Sequence, residues 1–390
     1  MKTPYFLIQQ EIINNNIADF KMALLKYWKN SSLAYSVKTN SLPWILKHML
    51  NNGALAEVVS DEEYQLAKRC GFVDRQIVFN GPIKGDDLFI KALENNAVVN
   101  IDSQKELEVL KKYQPDFLNN IGLRVNVDTH IFDEEDVGYI DDGFRFGFCE
   151  ENGALKKAID IISSIHKDCK IGIHLHCNSV TRSINVYKSI ARYAAKIIKK
   201  YDLEPSYIDI GGGFFGGIAG KPTAEDYICV ITDELSKAVD INKTKLIIEP
   251  GSALVGSAVD LHTSVVDVKD TNHARIVTTD GSRIHIDSLW KKEKYFFSVK
   301  SDKPNINKEK QIICGYTCMD FDRLMILKDY RELFVGDEII YHKVGAYSMT
   351  FGGPFIRYYP EVYIMNGDSI ELVRKRMTVD EYYAVQSMED

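Results

Sequence analysis

The chain has no uncharged apolar run approaching the roughly 18 residues that a membrane span needs, so no transmembrane segment is expected. It has no excess of basic charge. Its 48 Lys and Arg stand against 55 Asp and Glu, a formal net charge of −7, which leaves no electrostatic footprint for nucleic acid. Cysteine is sparse and odd in number, seven scattered over 390 residues. That usage excludes a disulfide framework and predicts reduced thiols in a cytoplasmic protein. The start, Met1-Lys2-Thr3-Pro4-Tyr5, leads into only a short apolar run, from which no signal peptide is expected. Internal repeats and low-complexity stretches are absent.

What is present is a globular composition, 45% hydrophobic and 26% charged. At roughly 150 residues per domain, the length predicts two domains, or one large barrel with an addition. Residues 5–9 read as a strand, and apolar positions at Ile13, Ile17, Phe20, Leu24 and Leu25 give Ile13 to Tyr27 the spacing of an amphipathic helix. Short apolar runs then recur at 33–37, 54–59, 76–80, 97–101, 121–127, 170–176, 206–210 and 245–248. Between them lie helix-like segments such as Asp61–Arg69, Gly85–Leu93, Gln104–Tyr113, Gly153–Ile165 and Ser183–Lys200. Eight strands alternating with helices over about 220 residues predict an α/β fold, a (β/α)8 TIM barrel, whose functional groups gather at the C-terminal strand ends. After Gly251, alternating runs rich in Val, Ile, Thr, Tyr and Phe at 258–267, 274–279, 293–299, 337–342 and 361–365 predict a C-terminal β-barrel or sandwich domain. The expected division is 23–252 for the barrel, with 1–22 and 253–390 forming the β-rich domain. The acidic run Asp133–Asp136, with Asp141 and Asp142, reads as a solvated face, since no histidine or cysteine is spaced to complete a metal site.

Several strand ends carry chemistry-bearing residues. Leu33-Ala34-Tyr35-Ser36-Val37-Lys38-Thr39-Asn40 ends the first barrel strand on a lysine. In a desolvated site its amine becomes a nucleophile able to form a Schiff base; in water it is an ordinary strand-end charge. Gly211-Gly212-Gly213 ends the seventh strand, where backbone N–H groups can approach a phosphate closely, or simply make a turn. Glu249-Pro250-Gly251 ends the eighth with a carboxylate that would keep a ring nitrogen protonated, or would serve a structural salt bridge. His174 and His176 share one face of the sixth strand. Two histidines suggest zinc, but no third ligand of matching geometry is apparent, and stacking or acid–base work by His176 is the other role. Further on, Cys314 and Cys318 have a C-x3-C spacing unlike that of most zinc ribbons. A lone thiol near a reactive lysine could donate a proton. No metal is expected.

Taken together, Lys38 in AYSVKTN, His176 in HLHCNS, the glycines 211–213, EPG at 249–251, Cys318 in GYTC and Tyr347 in GAY follow one order. Over nearly its whole length the chain resembles the fold-type III pyridoxal phosphate decarboxylases, the diaminopimelate and ornithine decarboxylase family. The resemblance implies an alanine-racemase-like barrel, pyridoxal 5'-phosphate as cofactor and a small-molecule amino acid as substrate. It implies that Lys38 forms the internal aldimine, His176 stacks on the ring and Glu249 pairs with the pyridine nitrogen. Ser179, Gly213, Gly251 and Tyr347 would hold the phosphate, with Gly211 and Gly212 in the same turn. Glu57 and Arg124 correspond to an acid–arginine pair near the ring. Cys318 would come from the partner subunit of a head-to-tail homodimer to protonate the carbanion.

The departures from the family fall on substrate-reading positions. Ser252 follows EPG where the family has arginine, which removes a bidentate carboxylate clamp. Met319 follows the cysteine where the family has Asp or Glu, and Ile286 falls where diaminopimelate decarboxylase has another arginine. In HCNS, Asn178 replaces a glycine and tolerates positive φ. Arg283, His285 and Asp287 lie close enough in sequence to reshape the pocket, and Asp320 or Asp322 could take over the contact to a distal amine. These changes predict an enzyme for a different amino acid or a conjugate, free or carrier-tethered, in a specialised biosynthetic pathway. The alternatives are diaminopimelate or an ornithine- or lysine-like substrate, a racemase of the same fold, a non-catalytic pyridoxal phosphate carrier and a metal-dependent barrel hydrolase.

Overall fold

A computed structural model describes residues 1–114, 119–127, 129–138, 143–177 and 179–388. Asp141, Asp142 and Asn178 of the sequence reading lie outside the described residues. The chain divides into two compact units, Asn16–Leu254 and Met1–Asn15 together with Val255–Asp390.

After β1 (Tyr5–Gln9), which belongs to the smaller unit, the strands of the larger unit begin. They are β2 (Ser31–Ser36), β3 (Leu55–Val58), β4 (Ile77–Phe79), β5 (Val98–Ile101), β6 (Ile121–Asn126), the two-residue β7 (Phe148–Cys149), β8 (Gly172–Leu175), β9 (Tyr207–Ile210) and β10 (Lys245–Ile248). All but β7 form a closed parallel barrel, in the order β2-β3-β4-β5-β6-β8-β9-β10. Leu246–Ile248 pairs with Ser31–Leu33 and closes the ring. The strands read as near-continuous apolar runs because helices cover the outer face while side chains fill the interior. Ala34, Val78, Val98, Tyr207 and Ile247 make one buried cluster. A Cβ on Gly122 or Gly172 would come within 2.3 Å of the Tyr207 ring or hydroxyl, so glycine at these two strand positions makes room for that side chain.

Helices start where the sequence caps them. Ser60, Ser103, Ser183 and Thr223 each accept a backbone N–H three residues on, which satisfies a donor that the first turn leaves free. The helix Ile184–Lys200 buries Val186, Tyr187, Ile190, Ala194 and Ile197 at the expected three- and four-residue spacing. Two barrel helices, Pro43–Asn51 and Ala224–Leu235, have no counterpart among the predicted segments.

The smaller unit holds a nine-stranded mixed sheet. Its strands are β1, β11 (Val259–Asp270), β12 (Arg275–Thr279), β13 (Phe296–Lys300), β14 (Asn307–Cys314), β15 (Arg323–Arg331), β16 (Glu338–His342), β17 (Glu361–Asn366) and β18 (Ser369–Arg374). The order is β15-β14-β12-β11-β1-β17-β18, with β16 joining β11 to β13. β1 lies between β11 and β17, the strand partners that the sequence rhythm could not supply within the barrel. β14, β15 and β18 escape a reading of alternating apolar runs because stretches such as Asn307-Lys308-Glu309-Lys310 are polar at nearly every position. No described helix is long and apolar enough to cross a membrane.

Candidate active site

Around one end of the barrel, each strand delivers a polar side chain at or near its C-terminal end. Lys38 follows β2 in the single turn Val37–Thr39. Glu57 is on β3, Asn80 directly follows β4, Asn100 is on β5, Arg124 on β6, His174 on β8, Asp209 on β9, and Glu249 directly follows β10. All but Lys38 are nearly fully buried. Charged and amide groups withdrawn from water are costly unless they pair, so their partners define the site.

Lys38 Nζ lies 2.8 and 3.1 Å from the two oxygens of Glu57. The lysine side chain is 39% exposed, so it is neither fully desolvated nor a free strand-end charge; its partner is the buried Glu57 carboxylate. Glu57 also accepts from Ser36 Oγ and, at 3.2 Å, from Asn80 Nδ2. Burial pushes the Glu57 carboxyl upward, but the charge of Lys38 and the hydrogen bonds from Lys38, Ser36 and Asn80 outweigh it and hold the group below its usual range. Arg124 pairs instead with Asp102, at 3.0 Å, and its guanidinium lies 4.4 Å from the Phe146 ring centre. Glu57 and Arg124 are thus each engaged with another opposite charge, Lys38 and Asp102.

The same Asn80 Nδ2 that donates to Glu57 also donates to Glu249, at 2.6 Å. Ligand atoms of Glu249, Asp209 and His174 all lie within 4.8 Å of one another. Burial, together with neighbouring carboxylates, raises Glu249 well above the usual carboxylate range and pushes Asp209 up to about 7, so the pair retains a proton near neutrality. Burial, then the nearby charges of Arg124 and Lys38, hold His174 well below its ordinary value. Among the described residues, neither ring nitrogen of His174 has a hydrogen-bond partner. His176, just past the strand end, is pushed down to about 3, chiefly by burial and then by Arg124 and Lys38.

The glycines are required by close approach. A Cβ on Gly211 would fall 2.5 Å from His176 Cβ, one on Gly212 2.4 Å from the Glu249 carbonyl, and one on Gly251 2.0 Å from Thr39 Oγ1. Gly213 adopts φ +100°, which L side chains avoid. These contacts bring the ends of β2, β8, β9 and β10 together. Ser179 follows β8 in a loop in which its Oγ accepts the Arg182 N–H at 2.9 Å. Ser252 Oγ accepts from Arg182 Nη1 at 3.3 Å.

The residues named for the smaller unit divide differently. Cys318 and Asp320 are exposed, and Tyr347 sits at φ +54°. Arg283 is engaged with Asp287 at 2.9 Å and with the Lys292 carbonyl at 2.7 Å. Ile286 is a core residue, 1% exposed, and lines no cavity described in this unit. Asp322 is taken up by Ser282 Oγ, the Arg283 N–H and Thr317, which corrects its expected availability to a substrate amine. Met319 lines a cavity of about 380 Å³ with Ile284, Trp290, Phe321, Phe351 and Phe355. Asp136 corrects the reading of the acidic run as solvated. It is 3% exposed, and it pins the loop after β8 through Thr181, Ser183 and the Val180 N–H.

Asn80, Asn100, Asp209 and Arg182 were not singled out by sequence. The signal for the first three was a lone polar residue inside an apolar strand run; Arg182, in a polar loop, carried none.

Pyridoxal phosphate fits this donor set. The Lys38 amine and the protonatable Glu249 carboxylate are linked through Glu57 and Asn80, the His174 and His176 rings are held below their ordinary pKa, and glycines at 211–213 and 251 sit at the strand ends beside them. Fold and site thus define the class of barrel enzymes that bind a pyridoxal cofactor. Residues 11–256 match the pyridoxal-dependent decarboxylase, pyridoxal binding domain, and the chain belongs to that family. Diaminopimelate decarboxylase of Aquifex aeolicus strain VF5 is 26% identical over 391 residues, covering 97% of this chain and 90% of that protein. The crystal structure of diaminopimelate decarboxylase from M. jannaschii superposes with a TM-score of 0.84 at 23% identity, over 100% of this chain and 93% of the other. Arginine decarboxylase of Paramecium bursaria Chlorella virus shares the fold, with a TM-score of 0.79 at 19% identity over 94% and 96% of the two chains. The chain is a pyridoxal-phosphate-dependent amino-acid carboxy-lyase.

Proposed function

We propose that the chain decarboxylates diaminopimelate. The observation that carries this reading is the extent of the likeness: the Aquifex aeolicus relative, named a diaminopimelate decarboxylase, aligns across 97% of this chain, β-rich unit included. The contact between Arg182 and Ser252 supports it. A guanidinium stands beside position 252 although that position is not arginine, and its planar fork suits the distal carboxylate of such a substrate.

Pyridoxal phosphate, when bound, supplies a protonated ring that accepts the electron pair left as CO2 departs. Lys38 holds the cofactor through its amine, and Glu57 holds Lys38. Glu249, sharing a proton with Asp209, keeps a proton at the ring nitrogen, since opposite charge favours the charged form. His176 offers an uncharged face to the ring. Ser179, Gly213, Gly251 and Tyr347 bind the phosphate. Cys318, supplied by the second subunit of a homodimer, returns a proton to the α-carbon.

The second reading, a different amino acid or a conjugate of one, free or carrier-tethered, is favoured by Met319. Its cavity is lined mainly by Ile284, Trp290, Phe321, Phe351 and Phe355, which offer no charge to a second amine. CO2 release by the purified protein, measured on diaminopimelate, lysine, ornithine and arginine, tests the proposal. Preferred turnover of diaminopimelate is expected; release from another substrate with none from diaminopimelate would overturn it.

A further inference from the structure

The larger unit contains a buried amide relay that the reaction outlined above does not use. Asn80 Nδ2 donates to two carboxylates at once, Glu57 Oε1 at 3.2 Å and Glu249 Oε1 at 2.6 Å. Its Oδ1 accepts from Asn100 Nδ2 at 2.8 Å. Asn100 Nδ2 donates in addition to Asp209 Oδ2 at 2.9 Å, and its Oδ1 accepts from the Tyr207 hydroxyl at 2.8 Å. Asn80 is 2% exposed and Asn100 is fully buried.

Both amides are fixed in orientation by these partners. Flipping Asn80 would set its carbonyl against two carboxylate oxygens and leave the Asn100 N–H facing an N–H. The bridge joins two acids with different duties, one on Lys38 and one facing the proton-sharing Asp209 with the neutral ring of His174 alongside. Two carboxylates within reach of a single amide repel each other in a low-dielectric interior. An amide offers each of them a donor without adding charge, whereas an aspartate there would add a third negative group and a lysine would compete with Lys38.

We propose that Asn80 is a positioning residue that holds Glu57 on the lysine side and Glu249 on the ring-nitrogen side of the bound cofactor. It acts through those two carboxylates and does not itself touch the reacting atoms. The inference rests on the reading that pyridoxal phosphate lies between Lys38 and Glu249. Removing the bridge leaves two buried acceptors short of a donor, so the acids shift or take up protons, and the electronic environment of the ring changes with them.

Apoprotein of wild type, Asn80→Leu and Asn80→Ser, titrated with pyridoxal phosphate and followed by visible absorption at fixed pH, tests this, with apoprotein melting as the control for folding. Asn80→Leu is expected to weaken cofactor binding about tenfold or more, the order of a lost hydrogen bond to a charged group, and to displace the absorption maximum. Asn80→Ser, which keeps one donor, is expected to fall between. A folded Asn80→Leu with wild-type affinity and spectrum would overturn the proposal. If Asn80→Leu does not fold, Asn80→Ser decides by the same two readings. Wild-type protein that takes up no pyridoxal phosphate would overturn the cofactor reading and this inference together.

Discussion

Lys84 is the most completely buried cation described in the barrel unit. Its side chain is fully enclosed, its Nζ lies 2.7 Å from Glu106, and it also donates to the carbonyls of Gly81 and Asn100. Burial alone lowers its pKa and Glu106 opposes that. Lys84→Met would strand the Glu106 carboxylate in the interior, and a broken buried pair of this kind costs about 3–5 kcal/mol; urea unfolding at neutral pH measures it. His285, in the smaller unit, is buried against Phe6 and Tyr316. It is pushed down from 6.5 to about 4 by burial and then by Arg374, Arg357 and Arg376. Because the unfolded chain binds its proton more readily, the stability it carries is present above pH 6.5 and is lost as pH falls toward 4. Linkage puts the loss at about 2 kcal/mol by pH 5. His285→Phe is therefore expected to flatten the acid-side fall in unfolding free energy between pH 7 and pH 5.

At the scale of elements, the loop between β8 and the helix Ile184–Lys200 carries Ser179 and Arg182 and depends on Asp136, which belongs to the short turn Glu134–Asp136. Through its carboxylate and its carbonyl, this residue binds Thr181, Ser183 and the Val180 N–H. The Tyr227 hydroxyl fixes the same loop at the Arg182 carbonyl, at 2.7 Å. Asp136→Ala removes the carboxylate without touching Ser179, and hydrogen bonds to charged groups are worth about 1.5–3 kcal/mol. Faster amide exchange over 179–183 is expected, with cofactor affinity falling about tenfold; hydrogen exchange and cofactor titration measure the two. Unchanged exchange would mean that Tyr227 and the Ser183 cap alone hold the loop.

For the whole molecule, the proposal that Cys318 serves the partner subunit's lysine has a quantitative consequence. Lys38→Ala and Cys318→Ala proteins are each expected to be inactive or nearly so. Mixed in equal amounts and allowed to exchange subunits, they form heterodimers in which one of two sites is intact. About one quarter of wild-type activity should return, since half the dimers are mixed. Sedimentation of the mixture checks the dimer, and a mixture that stays inactive despite exchange would mean that each subunit uses its own cysteine.

The sequence by itself determined the fold class and the candidate groups at the strand ends. Apolar runs of fixed length, alternating with amphipathic helices, suffice for a parallel barrel, because both faces of each strand must be buried. The strand ends then necessarily carry the few polar residues, Lys38, Glu57, Arg124, His176 and Glu249 among them. What only the tertiary structure decided is who meets whom. Closure of the ring between β2 and β10 put Asn80 between Glu57 and Glu249, residues 23 and 169 positions from it. Arg124 went to Asp102, and Arg182 came beside Ser252, 70 positions away. The polar face expected at Asp136 folded inward to hold a loop. Periodicity reports which way a side chain points from its own strand, whereas pairing across a barrel depends on the tilt and stagger of the other strands, and neither leaves a mark in the local sequence.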